Sequence, residues 1–219
     1  MPEEAKQAKR YMDLNKNKLL LAKPSKGKGG DGIFFVDKTS ELTKEKMRTF
    51  EYIVQEYVSN PLLIENKKFD LRLYLMIKGV DTMEAYIAME GLVRFCTEDY
   101  KSPEKKAKSK SSEDGEKEEE EVDKQSLNTT THLMGHLTNY CLNKESDKYV
   151  NSEDFKTNDN GSKRLLTTLF KILDEQGYDV DAVKEDIKDI CTKLVLALQP
   201  FLVNSFHTEM GVGEEGNQN

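Results

Sequence analysis

Cysteine is scarce in this chain, with three residues in 219, at positions 96, 141 and 191. None belongs to a Cys-x-x-Cys pair or has a histidine-rich neighbourhood. This argues against a structural zinc site and a disulfide framework and suits a reducing compartment. Cys96, Cys141 and Cys191 read as small core or half-buried residues. Long hydrophobic runs are also missing. The longest, Leu194 to Val203, is broken by Gln199 and Pro200, and the N-terminus, MPEEAKQAKRY, is charged and has no apolar signal core. Neither is a membrane span or a signal peptide. No basic stripe dominates, and the net charge of −7 argues against general nucleic-acid binding. The three histidines, His132, His136 and His207, read as structural. The expectation is a cytosolic chain with no membrane and no nucleic-acid partner. In that compartment the glycosylation sequon Asn128-Thr129-Thr130 means nothing. Its length allows one good core or two small ones.

Glycine, by contrast, is concentrated. Four glycines in six residues stand in KPSKGKGGDGI, Lys23 to Ile33, between the apolar runs Leu19–Ala22 and Ile33–Val36. Glycine tolerates positive φ and lets backbone approach a ligand closely. Gly27, Gly29, Gly30 and Gly32 could therefore present N–H groups to phosphate oxygens, with Lys23, Lys26 and Lys28 offsetting the charge. This is not a P-loop, which needs Gly-Lys-Ser/Thr opening a helix, nor the strand-to-helix dinucleotide turn. Two readings stand here: a phosphate-covering β-hairpin flap, or a hairpin turn with lysines for solubility.

In QEYVSNPLLIENKKFDLRLYLMI, Gln55 to Ile77, residues Phe69, Leu71, Leu73, Leu75 and Ile77 alternate with polar or larger neighbours, which predicts one half-buried strand over 69–78. Asp70 and Arg72 then share a face, as a ribose or metal-phosphate site or as a surface ion pair. Elsewhere, residues 3–16 read as a polar helix, 41–49 as helical, and 52–58, 84–89 and 92–96 as strands. Residues 101–126 are a charge-blocked, apolar-poor insert expected to be a solvated loop. Two helices follow, the first closed by Gly177, the second capped by Asp181 and stopped by Pro200.

Taken together, KP…G.GG.GI, QEYV with NPLLI and KFDLR, EGLVRF, HLTNYCLNK and GSKR stand in the order of the tubulin tyrosine ligase-like family of ATP-grasp enzymes, which the chain resembles over about residues 17–206. The likeness is strongest to the tubulin polyglutamylases. It implies an α+β, ATP-grasp fold, incomplete at the C-terminus. The implied segments are a helical lead-in (1–16), a central flap domain (17–60), the start of the C-terminal domain (61–206, with the insert) and an unstructured tail (207–219). The family joins an amino acid to a carboxylate using ATP and magnesium, through an acyl phosphate that the incoming amine attacks.

By this resemblance Lys23 contacts ATP phosphate and Gly29 and Gly30 cover it. Gln55, Glu56, Tyr57 and Val58 form the adenine hinge, Lys68 and Asp70 hold the ribose-phosphate side, and Thr138 and Asn139 complete the nucleotide site. Arg94, Tyr140 and Lys163 or Arg164 match the donor amino-acid positions. Basic residues at two points suit the two carboxylates of glutamate. The implied partners are tubulin or microtubules and free glutamate, in the cytoplasm and cytoskeleton, with cilium or basal body as further places. Two departures stand out. Asp31 replaces a usual Arg or Lys, and the family's magnesium-bearing Asp and Glu-x-Asn strands have no counterpart after Phe206. The expectation is therefore a fragment with impaired turnover. The competing readings are a catalytically inactive tubulin-binding relative and a tubulin glycine or tyrosine ligase.

Overall fold

Strand formation begins where apolar, β-prone residues bracket the glycines. In the computed structural model, which describes residues 3–15, 18–36, 51–103, 127–151 and 161–210, β1 (Leu20–Pro24) and β2 (Phe34–Val36) form the antiparallel hairpin expected on either side of the glycine loop. β1 pairs on its other edge with β3 (Tyr52–Glu56), giving the order β2-β1-β3. The period of two sends Leu21 and Phe35 to one face and Leu20, Ala22 and Val36 to the other, so both faces are buried. The first face packs with Tyr57, Leu127 and Leu137, and the second with Ala8 and Met12 of α1 (Glu3–Leu14). On the side of β2 away from β1, Asn128 accepts from the Phe35 N–H (2.7 Å) and donates to the Phe35 carbonyl (3.0 Å).

The chain packs as two compact units, residues 1–70 with 94–151, and residues 71–93 with 152–219. The boundary expected at 60/61 falls inside the first. β4 (Leu63–Ile64) pairs antiparallel with β5 (Lys67–Arg72), and β8 (Leu92–Phe95) and β9 (Lys163–Leu165) are further strands. The first unit also holds two single-turn helices, α2 (Thr130–Leu133) and α3 (Tyr140–Asn143).

The second unit contains the hairpin of β6 (Leu75–Lys78) and β7 (Glu84–Ile87), then α4 (Leu166–Glu175) and the 31-residue α5 (Val180–Met210). The single strand expected at 69–78 is two, parted at Leu73–Tyr74, because β5 and β6 pair with different neighbours. The alternation of half-buried and exposed side chains nevertheless runs through the break from Leu71 to Lys78. α4 closes at Gly177 as expected, with φ 82°. The cap of α5 is Asp179, whose carboxylate accepts from the Ala182 N–H at 2.9 Å, whereas Asp181 lies in the first turn. Pro200 does not stop α5. It removes one backbone donor, but the helix continues on both sides, so residues 207–210 of the expected tail are helical. The insert beyond residue 103, the helix expected at 41–49 and the tail beyond 210 lie outside the described residues. Among those described, no helix is long and apolar enough to cross a membrane.

Candidate functional site

The glycine loop turns back on itself through bonds from Asp31 N–H to the Lys28 carbonyl (3.1 Å) and from Ile33 N–H to the Gly30 carbonyl (3.3 Å). Gly29 (φ 67°) and Gly30 (φ 102°) occupy backbone conformations that only glycine adopts without strain. They also lie against HLTNYC. A Cβ on Gly29 would stand 2.8 Å from Cys141 Sγ, and one on Gly30 would stand 2.9 Å from Asn139 Cγ. Two segments more than a hundred residues apart in sequence, both assigned to the nucleotide by resemblance, thus meet face to face.

Asn143 places the second of these segments. Nearly fully buried, it accepts from Thr97 N–H and Oγ1, both at 2.9 Å, and donates to the carbonyls of Leu137 (2.6 Å) and Asn139 (3.0 Å). The bonds fix the backbone on either side of Thr138, so the Thr138–Asn139 pair sits at a defined height beneath the flap. Sequence reasoning gave Asn143 no role. The signal available was its place four residues after Asn139, where a side-chain amide can close a turn.

Within the hinge expected at 55–58, the residues divide. Gln55 faces solvent on β3. The Glu56 carboxylate is engaged by Lys18 (2.6 Å) and the Tyr11 hydroxyl (2.5 Å), which together hold it below the usual carboxylate range, Lys18 having the larger part. The Tyr57 N–H donates to the Leu19 carbonyl at 2.8 Å and its ring is buried in the core, while Val58 is exposed. The Tyr57 hydroxyl meets Lys68 Nζ at 3.0 Å and His136 Nδ1 at 2.8 Å. Burial, first of all, lowers the Lys68 pKa, and the charge of nearby Lys23 pushes the same way. Lys23 and Lys68 are therefore near enough to repel, while the Asp70 charge acts on Lys68 in the opposite direction. An anion between two such cations would relieve their repulsion.

Asp70 does not pair with Arg72. Arg94 on β8 grips both Asp70 oxygens, through Nε at 2.9 Å and through Nη2, in a half-buried bidentate pair. The Asp70 bond raises the Arg94 pKa against the opposing effect of burial. A residue assigned to the nucleotide and one assigned to the donor are thus directly joined. Beside them Cys96 is buried, and burial pushes its thiol up to about 12, so it is an inert packing residue. Tyr140 is partly exposed and stacks edge-on with Tyr149 at 5.8 Å between centroids. In the second unit, Lys163 is half-buried on β9, and Arg164 is buried with Nε donating to the Gly161 carbonyl at 3.2 Å. Among the described residues, no three histidine, cysteine or carboxylate side chains come together as a metal cage.

A protein-family model described as the tubulin-tyrosine ligase family matches residues 1–210. The chain is 36% identical over 197 residues to the tubulin polyglutamylase TTLL11 of Mus musculus, covering 90% of this chain and 24% of that protein. It is 35% identical over 181 residues to the tubulin polyglutamylase ttll-11 of Caenorhabditis elegans, covering 82% and 22%. To the tubulin monoglutamylase TTLL4 of Mus musculus it is 29% identical over 204 residues, covering 93% and 15%. The chain spans about a quarter or less of the length of these relatives.

Proposed function

This chain belongs to the tubulin-tyrosine ligase family, and we propose that it is the nucleotide-flap part of an ATP-dependent ligase of ATP-grasp type that adds glutamate to glutamate side chains of tubulin tails. The observation that supports this most is the meeting of the positive-φ glycine loop with Asn139 and Cys141, a backbone surface suited to a polyphosphate, to which Lys23 and Lys68 are proposed to bring cationic charge.

The residues present fit ATP. Gly29 and Gly30 cover the phosphates, Lys23 and Lys68 meet their charge, and Gln55 with the backbone at 56–58 receives the base. Asp70 lies on the ribose side, with Thr138 and Asn139 beneath. ATP supplies the activation, turning an acceptor carboxylate into an acyl phosphate open to the donor's amine. The described residues form no magnesium cage, so no step is assigned through the metal. Arg94, with Tyr140 and Lys163 or Arg164, is proposed to read the donor. Glutamate brings two carboxylates to cationic groups, whereas glycine and tyrosine bring one. The proposed setting is the cytoplasm and cytoskeleton, on microtubules.

Calorimetry with ATP tests the reading. Binding should be detectable, and Lys23→Ala should weaken it by on the order of 2 kcal/mol, the worth of a charge-assisted contact. Equal affinity in mutant and parent removes Lys23 from the site. Incubation with tubulin, ATP, magnesium and labelled donors reads the second half. Arg94→Ala should cut glutamate incorporation more than about tenfold, and it should also weaken ATP, because Asp70 loses its partner. Incorporation of glycine equal to that of glutamate would discard the donor assignment.

A further inference from the structure

The Lys68 ammonium has three N–H groups and no lone pair, so at 3.0 Å from the Tyr57 hydroxyl it can only donate. The phenolic oxygen therefore accepts from Lys68, and the same hydroxyl also meets His136 Nδ1 at 2.8 Å and the Tyr100 hydroxyl, so it is held from three sides.

The rings hold the chain in place. His136 is buried and stands edge-on to Phe35 (5.3 Å), to Tyr57 (5.6 Å) and to Tyr100 (4.9 Å), with His132 against it at 4.3 Å. Tyr57 is itself edge-on to Phe35 at 5.0 Å, and Tyr100 is tied down by its hydroxyl's bond to the Ser59 carbonyl at 2.6 Å. A flexible lysine on the rim of the nucleotide site thereby ends on an oxygen that the core does not let move.

We infer that Tyr57 and His136 are positioning residues for Lys68, a hydrogen-bonded relay that aims its ammonium at the nucleotide; the inference rests on the ATP-binding reading above. One Lys68 N–H is committed to Tyr57, which fixes the directions of the other two. Burial, with the charges of His132 and Lys68 acting the same way, lowers the His136 pKa to about 3, so the ring stays neutral at physiological pH. The Tyr57 pKa is raised, by burial first and then by Tyr100, so the phenol keeps the proton it donates.

The test combines ATP calorimetry with NMR titration of the Lys68 side-chain nitrogen in the nucleotide-free chain. Tyr57→Phe and His136→Leu should each weaken ATP about fivefold, while His136→Asn, whose amide oxygen stands near the Nδ1 position, should stay within about twofold of the parent. In a Lys68→Met background, Tyr57→Phe should cost nothing further. Tyr57→Phe should also make Lys68 titrate at lower pH than in the parent, since the charged form loses an acceptor. Losses that add in the Lys68→Met background, or a Lys68 titration unmoved by Tyr57→Phe, overturn the relay. If the parent binds no ATP, the nucleotide reading falls, and the titration alone decides whether Tyr57 governs Lys68.

Discussion

The two compact units are built to different standards of closure. In the first, Phe35 is 0% exposed, Val36 2% and His136 2%, and the buried polar groups Asn143, Thr97 and His136 are hydrogen-bonded or ring-packed. In the second, α4 buries Leu166, Leu169 and Leu173, but the long helix α5 has no buried residue, Phe201 is 69% exposed, and apart from His207 with Asp81 the described ion pairs along the helix join residues three or four apart. Buried, partnered polar groups permit few arrangements, whereas exposed i,i+4 pairs restrain only the helix that carries them. The proposed nucleotide residues lie in the more closed of the two units.

Truncating matched aromatics in the two units should break or confirm this contrast most visibly. Phe35→Ala removes a ring from a closed core and should cost about 4 kcal/mol, whereas Phe201→Ala should cost less than about 1 kcal/mol. Denaturant melts of the two variants read the difference, and equal losses would show that α5 is as tightly held as the flap sheet.

Acid stability gives a mid-sized test confined to the first unit. His136 has its pKa at about 3 against an ordinary 6.5. Between those values the unfolded chain binds the proton and the folded one does not. Stability from this group is therefore full above 6.5 and falls as pH drops, by roughly 1.4 kcal/mol per unit at most. Going from pH 7 to pH 5 should cost the parent about 2 kcal/mol more than it costs His136→Asn. Parallel pH profiles would show that the ring is not held neutral.

The smallest expected effect belongs to the start of α4 in the second unit. Glu90 accepts from Thr167 N–H (3.2 Å) and Oγ1 (2.8 Å), capping α4, whose own preceding residue offers no side-chain cap. Glu90→Ala should lower stability by about 1 kcal/mol, with ATP affinity unchanged. A loss of several kcal/mol would mean that the second unit is more cooperative than its exposure suggests.

Local features were legible in the sequence and long-range partners were not. Glycines between Leu19–Ala22 and Ile33–Val36 spell a hairpin because both the apolar runs and the turn residues are contiguous. Gly177 marks a helix end for the same reason. The break at Leu73–Tyr74 was hidden, since alternation records which face a side chain takes and not which strand it pairs with. Arg94 lies 24 residues from Asp70, and His136 lies 79 from Tyr57. No periodicity reports such pairings, so the sequence offers Arg72 as one ion-pair partner for Asp70 where the fold supplies Arg94, and it does not show that the Tyr57 side chain packs in the core. The family's motif order names candidate residues, and their connections to one another come from the fold.

The double bond between Asn128 and the Phe35 backbone has a consequence for how the chain behaves in company. β2 is an outer strand only three residues long, and Phe35 is where its outward-facing amide and carbonyl stand. An unpaired pair of this kind invites the strand of another molecule to dock and extend the sheet. A single carboxamide, presenting an acceptor and a donor at the spacing of a peptide group, occupies both positions and leaves an incoming strand nothing to bond there. Asn128 thus acts as a side-chain stopper for sheet growth, and replacing it by leucine would turn a closed margin into a self-association surface.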